Sequence, residues 1–501
     1  MRLAFLALAL SLSPLSAWGD EPEGRRPLFH FTPPRNFIND PNGLVFFQGE
    51  YHLFYQHNPE GDRWGHMSWG HAVSRDLARW THLPVALREE AGIMIFSGSA
   101  VVDARNTAGF GRDDAPAMVA VYTGHSREKQ TQNLAYSLDR GRTWTKFAGN
   151  PVVDINSNAF RDPKVFWHRP TNRWVMATVL ADERKVRLWS SEDLKRWERL
   201  SDFGPAGSTK GVWECPELFE APVEGADGGE TRWVLKVDVG DGAPAGGSGG
   251  QYFVGRFDGK AFRPEGGPGS PPLWLDYGKD FYASQAWNDA PGDGRPVWIG
   301  WMNNWQYAND IPTSPWRGAM TVPRALALRK TPDGLRLVQS PVAGLQSLRG
   351  RHHRIDGRPV PAGDTPLGGD GIEGLAVEIV AEFDPGDAEA FGLKVRQGKG
   401  EETVIGVDRR NASVYVDRTR SGAVGFSPHF PGRHAASLTV GDRPVRLHIL
   451  VDATSVEVFA DNGRVVLTDQ IFPAPESRGI SLFATGGAAR LRALDAWELR
   501  P

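Results

Sequence analysis

Between residues 27 and 336 the sequence is a series of short apolar runs separated by turn-forming residues. Residues 44–56 hold two such runs around Gln48-Gly49-Glu50, a pattern that predicts a β-hairpin. No long segment shows a sustained 3.6-residue periodicity bounded by helix caps. Similar apolar runs recur at 117–122, 165–167, 174–180, 233–239, 252–257 and 297–301. These features predict an all-β fold with few helices.

A weak internal repeat narrows the architecture. A Ser-x-Asp turn precedes a tryptophan three times, at Ser74 before Trp80, at Ser137 before Trp144, and at Ser191 before Trp197. The tryptophans are 64 and 53 residues apart. That period fits one four-stranded blade of a β-propeller with long loops, although hairpin chemistry alone also produces degenerate copies of this kind. We therefore expect a β-propeller over residues 27–338.

The character of the sequence changes near Gln339. Tryptophan nearly vanishes from residues 345–501, leaving Trp497, and alternating segments appear, for example at 375–383 and 404–416. Asn462-Gly463 lies between two apolar runs, which is a strong signal for a tight hairpin. We expect a β-sandwich over residues 345–501, with no catalytic constellation in it.

Length and charge limit the classes of function. A chain of 501 residues exceeds one compact domain, so two domains are expected. The 57 basic and 60 acidic residues nearly balance, which gives no electrostatic reason to expect a nucleic acid or an anionic membrane as partner. Most of the 18 tryptophans are expected to fill the core, and a few to stack on sugars, whose C–H faces suit indole rings.

The first residues resemble a signal peptide. Arg2 precedes an apolar run over residues 3–12, and Ala17-Trp18-Gly19 provides a small-x-small cleavage site. Residues 1–19 are therefore expected to direct the protein to a secreted or periplasmic location. No later stretch approaches 18 apolar residues, so no membrane span is expected. Cys215 is the only cysteine, which excludes an intrachain disulfide.

Three acidic motifs stand out in the first half. Asp40 lies in Asn-Asp-Pro-Asn-Gly at 39–43, Asp162 in Arg-Asp-Pro at 161–163, and Glu214 in Glu-Cys-Pro at 214–216. Each acid is next to a proline or one residue from it, at the edge of an apolar strand. This pattern is typical of a carboxylate held on a stiff turn. Spacings of 122 and 52 residues place the acids on different blades, which meet around one central funnel in a propeller.

Two carboxyl groups in different protonation states are what glycoside cleavage requires. Asp40 has amide and turn neighbours that suit an ionised group, and Asp162 beside Arg161 is also expected to stay ionised. Glu214 lies beside Trp213, Cys215 and Pro216, and apolar neighbours raise the pKa of a carboxyl group. On spacing alone, the nearby acids Glu217 and Glu220 are alternative proton donors.

Together the three motifs resemble those of family 32 of the glycoside hydrolases, which includes invertases, levanases and exo-inulinases. The resemblance also covers Phe54-Tyr55-Gln56, the segments 96–99, 278–283 and 300–305, and residues 456–460 in the second half. Phe37-Ile38 departs from the Trp-Met of many members but keeps an aromatic followed by a bulky apolar residue. The resemblance implies a five-bladed propeller followed by a β-sandwich.

The same resemblance implies roles for individual residues. Asp40 corresponds to the nucleophile, Asp162 to the stabiliser of the transition state, and Glu214 to the acid/base of a retaining mechanism. Further residues are expected to bind the substrate, namely Asn39, Gln56, Trp64, Ser97, Arg161 and Trp305, with Asp280 and Tyr282 as additional candidates. For Trp64 and Trp305 the alternative is core packing, and for Asp280 and Tyr282 it is a structural role.

The resulting hypothesis is a secreted exo-acting β-fructosidase whose partner is a fructan such as levan or inulin, or sucrose. A dedicated sucrose invertase, a fructosyltransferase and a non-catalytic fructan-binding lectin-like protein are the alternatives. No cofactor is expected. His52, His57, His66 and His71 lack the spacing of a metal site, and the glycine-rich residues 240–250 lack the Lys-Ser/Thr of a phosphate-binding loop.

Overall fold

The computed structural model describes residues 25–112, 115–226, 229–267 and 269–500. The expected signal peptide at residues 1–19 lies outside the described residues. Regular structure within the described ranges consists of β-strands and a few short 3-10 segments, which confirms the all-β prediction. The 3-10 segments are Arg169–Thr171, Ala181–Glu183, Ala343–Leu348, Gly368–Asp370 and Asp461–Gly463.

Residues 36–341 form the five sheets of a β-propeller. Blade 1 contains β1 (Asn36–Phe47), β2 (Glu50–His57), β3 (Ser68–Ser74) and β4 (Thr81–Leu87). Blade 2 contains β5 (Met94–Asp103), β6 (Ala117–His125), β7 (Gln130–Ser137), β8 (Thr145–Lys146) and β9 (Val153–Ser157). Blade 3 contains β10 (Phe160–His168), β11 (Arg173–Leu180), β12 (Lys185–Ser191) and β13 (Glu198–Phe203). Blade 4 contains β14 (Trp213–Pro222), β15 (Thr231–Val239), β16 (Gly249–Phe257), β17 (Phe262–Pro264) and β18 (Leu273–Trp274). Blade 5 contains β19 (Tyr282–Ala286), β20 (Val297–Met302), β22 (Ala319–Met320), β23 (Arg324–Thr331) and β24 (Gly334–Pro341), and β21 (Trp316–Arg317) lies between β20 and β22 in the chain.

The blades close into a ring. The first strand of each blade contacts the first strand of the next, from β1 through β5, β10, β14 and β19 back to β1. Strand β21 leaves blade 5 and pairs in parallel with β1 of blade 1, and the Asn36 N–H donates to the Pro315 carbonyl at 2.7 Å. This pairing joins the last blade to the first, so the inner strands surround one central axis.

The repeated Ser-x-Asp sequence forms the same turn in three blades. In blade 1, Ser74 ends β3, and its hydroxyl accepts the Leu77 N–H at 2.8 Å while the Asp76 carboxylate accepts the Arg79 N–H at 2.9 Å. The equivalent side chains in blades 2 and 3 also accept backbone N–H groups of the following turn; they are Ser137, Asp139, Ser191 and Asp193. The repeat therefore marks the connection from the third to the fourth strand of a blade.

Residues 349–499 form two six-stranded sheets that pack face to face as a β-sandwich. One sheet contains β25 (Arg349–Val360), β27 (Val377–Asp384), β32 (Val445–Asp452), β33 (Ser455–Ala460), β34 (Val465–Gln470) and β36 (Ala489–Leu499). The other contains β26 (Gly363–Pro366), β28 (Ala390–Gly398), β29 (Glu401–Asp408), β30 (Ser413–Arg420), β31 (Arg433–Ser437) and β35 (Gly479–Thr485). Strands β33 and β34 form the hairpin that Asn462-Gly463 predicts.

The sandwich is joined to the propeller through its strand β34. The Tyr277 and Asp280 N–H groups donate to carbonyls of β34 at 2.8 and 3.0 Å. Gly278 lies between them, and a Cβ atom there would lie 2.2 Å from the Thr468 carbonyl oxygen, so only glycine permits this close approach. The interface therefore has backbone hydrogen bonds as well as side-chain contacts.

A buried histidine links the N-terminal segment to the sandwich. His30 lies 2.8 Å from both the Asp452 and the Glu457 carboxylates, and Glu457 also pairs with Arg324 of β23 at 2.5 Å. Burial alone lowers the pKa of His30, but the hydrogen bonds and charges of the two carboxylates outweigh burial and raise the pKa to about 9. His30 is therefore a buried cation at neutral pH.

We predict that His30 contributes stability that is lost in mild alkali. Because its folded pKa of about 9 exceeds the ordinary histidine value of 6.5, the contribution is complete below pH 6.5 and declines as the pH rises through 9. Its size is on the order of 3 kcal/mol. Thermal unfolding of His30→Gln from pH 6 to 10 should show a smaller alkaline loss than the wild type. A His429→Gln control, at an exposed position, should lose stability in alkali as the wild type does. An equal loss of stability with rising pH in the wild type and His30→Gln would contradict the raised pKa of His30.

Candidate active site

The innermost strand of every blade carries a β-bulge at the same level of the propeller. A bulge inserts an extra residue, bends the strand and redirects its side chains. The bulges lie between Ile38 and Pro41 in β1, Phe96 and Gly98 in β5, Arg161 and Lys164 in β10, Glu214 and Glu217 in β14, and Tyr282 and Gln285 in β19. All three acidic motifs of the sequence coincide with these bulges. The five bulges thus surround one pocket on the axis.

Proline and left-handed backbone conformations shape these bulges. Pro41, Pro163 and Pro216 follow Asp40, Asp162 and Cys215 and cannot donate to a strand ladder. Asp162 and Cys215 have φ angles of 61° and 47°, a region that residues other than glycine rarely adopt. Such strain persists only where the surrounding structure enforces it, and it is concentrated at functional sites.

Asp40 is buried and receives hydrogen bonds on both carboxylate oxygens. The Ser97 hydroxyl donates at 2.6 Å, the Asn39 amide at 3.0 Å, and the Cys215 thiol lies 3.4 Å from the same oxygen as Ser97. These donors come from the bulges of blades 1, 2 and 4. They hold the carboxylate in one orientation at the floor of the pocket.

Glu214 lies nearer the mouth of the pocket, with 23% of its side chain exposed. The Arg161 guanidinium donates to one carboxylate oxygen at 3.0 and 3.2 Å, and the Tyr282 hydroxyl donates to the other at 2.5 Å. The sequence predicts apolar packing around this carboxyl group, but its hydrogen-bond partners are polar. The neighbouring Trp213 is fully buried instead, and its indole N–H donates to the Ser208 carbonyl.

Cys215 connects the other two acids. Its backbone N–H donates to the Asp162 carboxylate at 2.9 Å, while its thiol contacts Asp40. The Asp162 N–H in turn donates to the Thr123 hydroxyl of β6 at 3.0 Å. Burial raises the pKa of the Cys215 thiol well above its ordinary value, and the neighbouring carboxylates add to this effect, so the thiol remains protonated and can donate.

Burial dominates the electrostatics of the aspartates. It raises the pKa of Asp40, and the charge of Glu214 raises it further, whereas the bonds from Ser97 and Asn39 lower it. For Asp162, burial raises the pKa to about 7 even though Arg161, 3.8 Å away, lowers it. The sequence predicts that Asp162 stays ionised beside Arg161; in the structure its burial outweighs that attraction.

The remaining residues that the sequence predicts to bind substrate are Gln56, Trp64 and Trp305. Gln56 is buried and donates to the Asn42 side chain at 2.8 Å and to the Ile95 carbonyl at 3.0 Å. Trp64 is 40% exposed and makes an edge contact with Phe96, and Trp305 packs on Trp301 at a centroid distance of 4.7 Å.

Asp280 does not join this cluster. It is fully buried at the interface with the sandwich, where it pairs with Arg418 at 2.5 Å and accepts the Tyr307 hydroxyl at 2.6 Å. The Gln470 N–H of β34 also donates to it. These contacts give Asp280 a structural position between the two domains. Tyr282, two residues further along, reaches Glu214 instead.

The two alternative proton donors are placed differently from Glu214. Glu217 is 1% exposed and pairs with Lys164 at 3.2 Å. Glu220 is exposed toward the outer end of β14, where it pairs with Thr231. Of these three glutamates, only Glu214 combines access to the pocket with contacts to Arg161 and Tyr282.

Comparison with known proteins agrees with this arrangement. The family described as glycosyl hydrolases family 32 N-terminal domain matches residues 30–341, and the family 32 C-terminal description matches residues 344–498. The chain belongs to glycoside hydrolase family 32.

It is 49% identical to a levanase of Bacillus subtilis (strain 168) over 95% of this chain and 71% of that protein. It is 40% identical to an extracellular exo-inulinase of Aspergillus ficuum over 92% of each. A fructofuranosidase from Schwanniomyces occidentalis, solved in complex with fructose, superposes with a TM-score of 0.86 at 32% identity, covering 96% of this chain and 99% of that one.

Four residues near the acids lie outside the sequence motifs of this family 32 chain. Gln130 accepts from Arg161 at 3.4 Å, and His125 stacks on Phe96 at 4.2 Å. Lys236 and Asp238 lie beneath Cys215 on β15. The last two had a possible signal, since two charged residues on alternate positions of the apolar run 233–239 point to one buried face of a strand.

We predict that ionised Asp162 destabilises this family 32 chain above neutral pH. Its folded pKa of about 7 exceeds the ordinary aspartate value of 3.8. Because the charged form is buried, the folded state loses stability as the pH rises from about 4 to about 7. Asp162→Asn keeps an acceptor for the Cys215 N–H. The free energy of unfolding of Asp162→Asn, minus that of the wild type, should be larger at pH 8 than at pH 4.5 by on the order of a few kcal/mol. An exposed control, Asp182→Asn, should show no such difference; a gain independent of pH would contradict the shifted pKa.

Proposed function

We propose that this protein is an exo-acting β-fructosidase that hydrolyses terminal β-fructofuranosyl units of levan, inulin and sucrose with retention of configuration. The observation that carries the proposal is the arrangement of Asp40 and Glu214 about Cys215, which directly follows Glu214 and whose thiol contacts Asp40, in a family 32 chain. Each carboxyl group has its own set of donors, so the two differ in environment as an acid and a nucleophile must.

Asp40 is the proposed nucleophile. Its carboxylate is oriented by Ser97 and Asn39, and it is proposed to face the anomeric carbon of a fructosyl unit bound at the floor of the pocket. Glu214 is the proposed acid/base. Its partial exposure near the mouth gives it access to the leaving-group oxygen and later to water. Asp162 is proposed to hold sugar hydroxyls as charge develops in the transition state.

In the first step, Asp40 attacks the anomeric carbon while Glu214 transfers its proton to the departing glycosidic oxygen. The bond from the anomeric carbon to the leaving group breaks, and a bond to the Asp40 oxygen forms. In the second step, Glu214 removes a proton from water, and the resulting hydroxide displaces Asp40 from the same carbon. Two inversions give net retention.

The fructose-binding residues are proposed on the chemistry of the pocket walls. The Asn39 side-chain oxygen is buried and has no hydrogen-bond partner among the described residues, so it is available to accept a sugar hydroxyl. Arg161 and Gln56 supply further polar groups. Trp64 and Trp305 provide indole faces for the C–H face of a sugar. The polymer preference rests on the levanase and exo-inulinase relatives and on the segment 301–307.

Secretion is part of the proposal. A polymeric substrate requires an extracellular or periplasmic enzyme, residues 1–19 have the pattern of a signal peptide, and one relative is named as extracellular. Within the described residues, no helix is long and apolar enough to cross a membrane.

The roles of the two acids are tested by substitution. Asp40→Asn should lower kcat by at least about a thousandfold on every substrate, because no nucleophile replaces it. Glu214→Ala should lower kcat on sucrose by about 10²–10⁴-fold but much less on p-nitrophenyl β-fructofuranoside, whose leaving group needs no proton. Azide should restore part of the activity of Glu214→Ala.

Glu220→Gln, an exposed change on the same strand, is the matched control and should keep wild-type kinetics. If Glu217→Ala were the variant that azide rescues while Glu214→Ala remained active, the acid/base assignment would be wrong.

The mode of attack is tested by the products of early digestion. The proposed closure of the pocket by Trp64 and Trp305 would admit only a chain end, so levan and inulin should release fructose with little fall in polymer size. Chromatography after about 5% conversion should show fructose as the dominant product. An early ladder of oligosaccharides would identify an endo-acting enzyme. Hydrolysis of sucrose alone would favour a dedicated invertase, and transfer of fructose to sugar rather than water a fructosyltransferase.

A further inference from the structure

Lys236 is a fully buried lysine that contacts the backbone of Cys215, the residue that follows Glu214. It lies on β15, the second strand of blade 4, and its ammonium group has three acceptors, equal to its number of donors. These acceptors are the Asp238 carboxylate at 2.5 Å, the Ser284 carbonyl at 2.8 Å and the Cys215 carbonyl at 3.0 Å. Every donor of the ammonium group is therefore used.

Two of the three acceptors are backbone atoms inside β-bulges. Cys215 lies in the bulge of blade 4, which carries Glu214, and Ser284 lies in the bulge of blade 5, which carries Tyr282. The same two bulges present the Glu214 carboxylate and the Tyr282 hydroxyl to each other at 2.5 Å. Lys236 thus binds the backbones of both bulges.

Cys215 connects Lys236 to Asp162 and Asp40 as well. Its carbonyl accepts from Lys236, its N–H donates to Asp162, and its thiol contacts Asp40. Because Cys215 has a φ of 47°, its peptide groups need such contacts to hold the strained conformation. A displacement of this residue would move all three acids together.

Stability alone does not account for the pair of Lys236 and Asp238. Both side chains are fully buried, and one oxygen of Asp238 has no hydrogen-bond partner among the described residues. Replacing such a buried ion pair with apolar residues is often neutral or stabilising. The other charged or titratable groups facing Lys236 are Lys164 on β10 and Glu217 and Cys215 on β14.

We propose that Lys236 is a positioning residue that clamps the Cys215 and Ser284 carbonyls and thereby holds Glu214 against Tyr282 in the orientation needed for proton transfer. Lys236 does not touch the substrate and acts through the two bulges. This inference rests on the proposed β-fructosidase activity and extends it to the second strand of blade 4.

The test is the dependence of turnover on the leaving group. A displaced acid impairs hydrolysis of sucrose, whose leaving oxygen needs a proton, more than hydrolysis of p-nitrophenyl β-fructofuranoside. The Lys236→Met/Asp238→Leu double variant removes both charges, so that neither is left unpaired. Its kcat on sucrose should fall about 30- to 100-fold and its kcat on the aryl substrate less than about fivefold, with each KM within about threefold of wild type.

Arg396→Met provides the matched control. Arg396 is also a fully buried cation that donates to backbone carbonyls, namely those of Ser477, Asp452, Ala453 and Ala474, but it lies in the sandwich. This variant should lose thermal stability and keep the wild-type ratio of sucrose to aryl turnover. A change in that ratio comparable to that of the double variant would show that general destabilisation is responsible, and would overturn the proposal.

A second variant keeps the test decisive if the double variant does not fold. Tyr282→Phe removes the contact that the clamp is proposed to maintain and leaves Lys236 in place. It should shift the same ratio in the same direction. An unchanged ratio in Tyr282→Phe, or in a folded double variant, would overturn the proposal. Absence of fructose release by the wild type would instead refute the proposed function, so the two failures are distinguishable.

Discussion

The active site depends on five β-bulges that lie at one level of a closed ring of strands. Without the bulges, the side chains of each inner strand would alternate regularly, and the neighbouring residues Arg161 and Asp162 would point to opposite faces. The extra residue in each strand breaks that alternation, so adjacent residues both reach the pocket. Ring closure through β21 then brings five such strands around one axis.

This geometry explains why the acids are both buried and tolerated. Asp40 and Asp162 lie where burial raises the pKa of a carboxyl group, and each is compensated by donors from a neighbouring blade, Ser97 in one case and the Cys215 N–H in the other. The donors belong to other strands, so the site forms only when the ring is closed. The left-handed backbone conformation of Asp162 adds to the free-energy cost of forming this site.

The all-β class and the family were predictable from the sequence and are confirmed, because short-range features carry that information. The catalytic roles of the three acids stay predictions. Turn residues, strand periodicity and the Asp-Pro motifs are local. Contacts with residues from elsewhere in the chain were not predictable from such local features. The residues flanking Glu214 in the sequence predict an apolar environment, yet Arg161 and Tyr282 contact its carboxylate. Asp280 lies in a motif of the family, yet pairs with Arg418 of the sandwich.

What the sequence determined by itself was therefore the set of strands, the turns between them and the chemistry of the residues at their ends. Only the tertiary structure decided which residues meet. Lys236 illustrates the difference, because its three acceptors lie on its own strand and in two bulges, 21 residues before it and 48 residues after it. Hydrogen bonds and charge interactions act over a few ångströms in space, and distance along the chain does not reveal them.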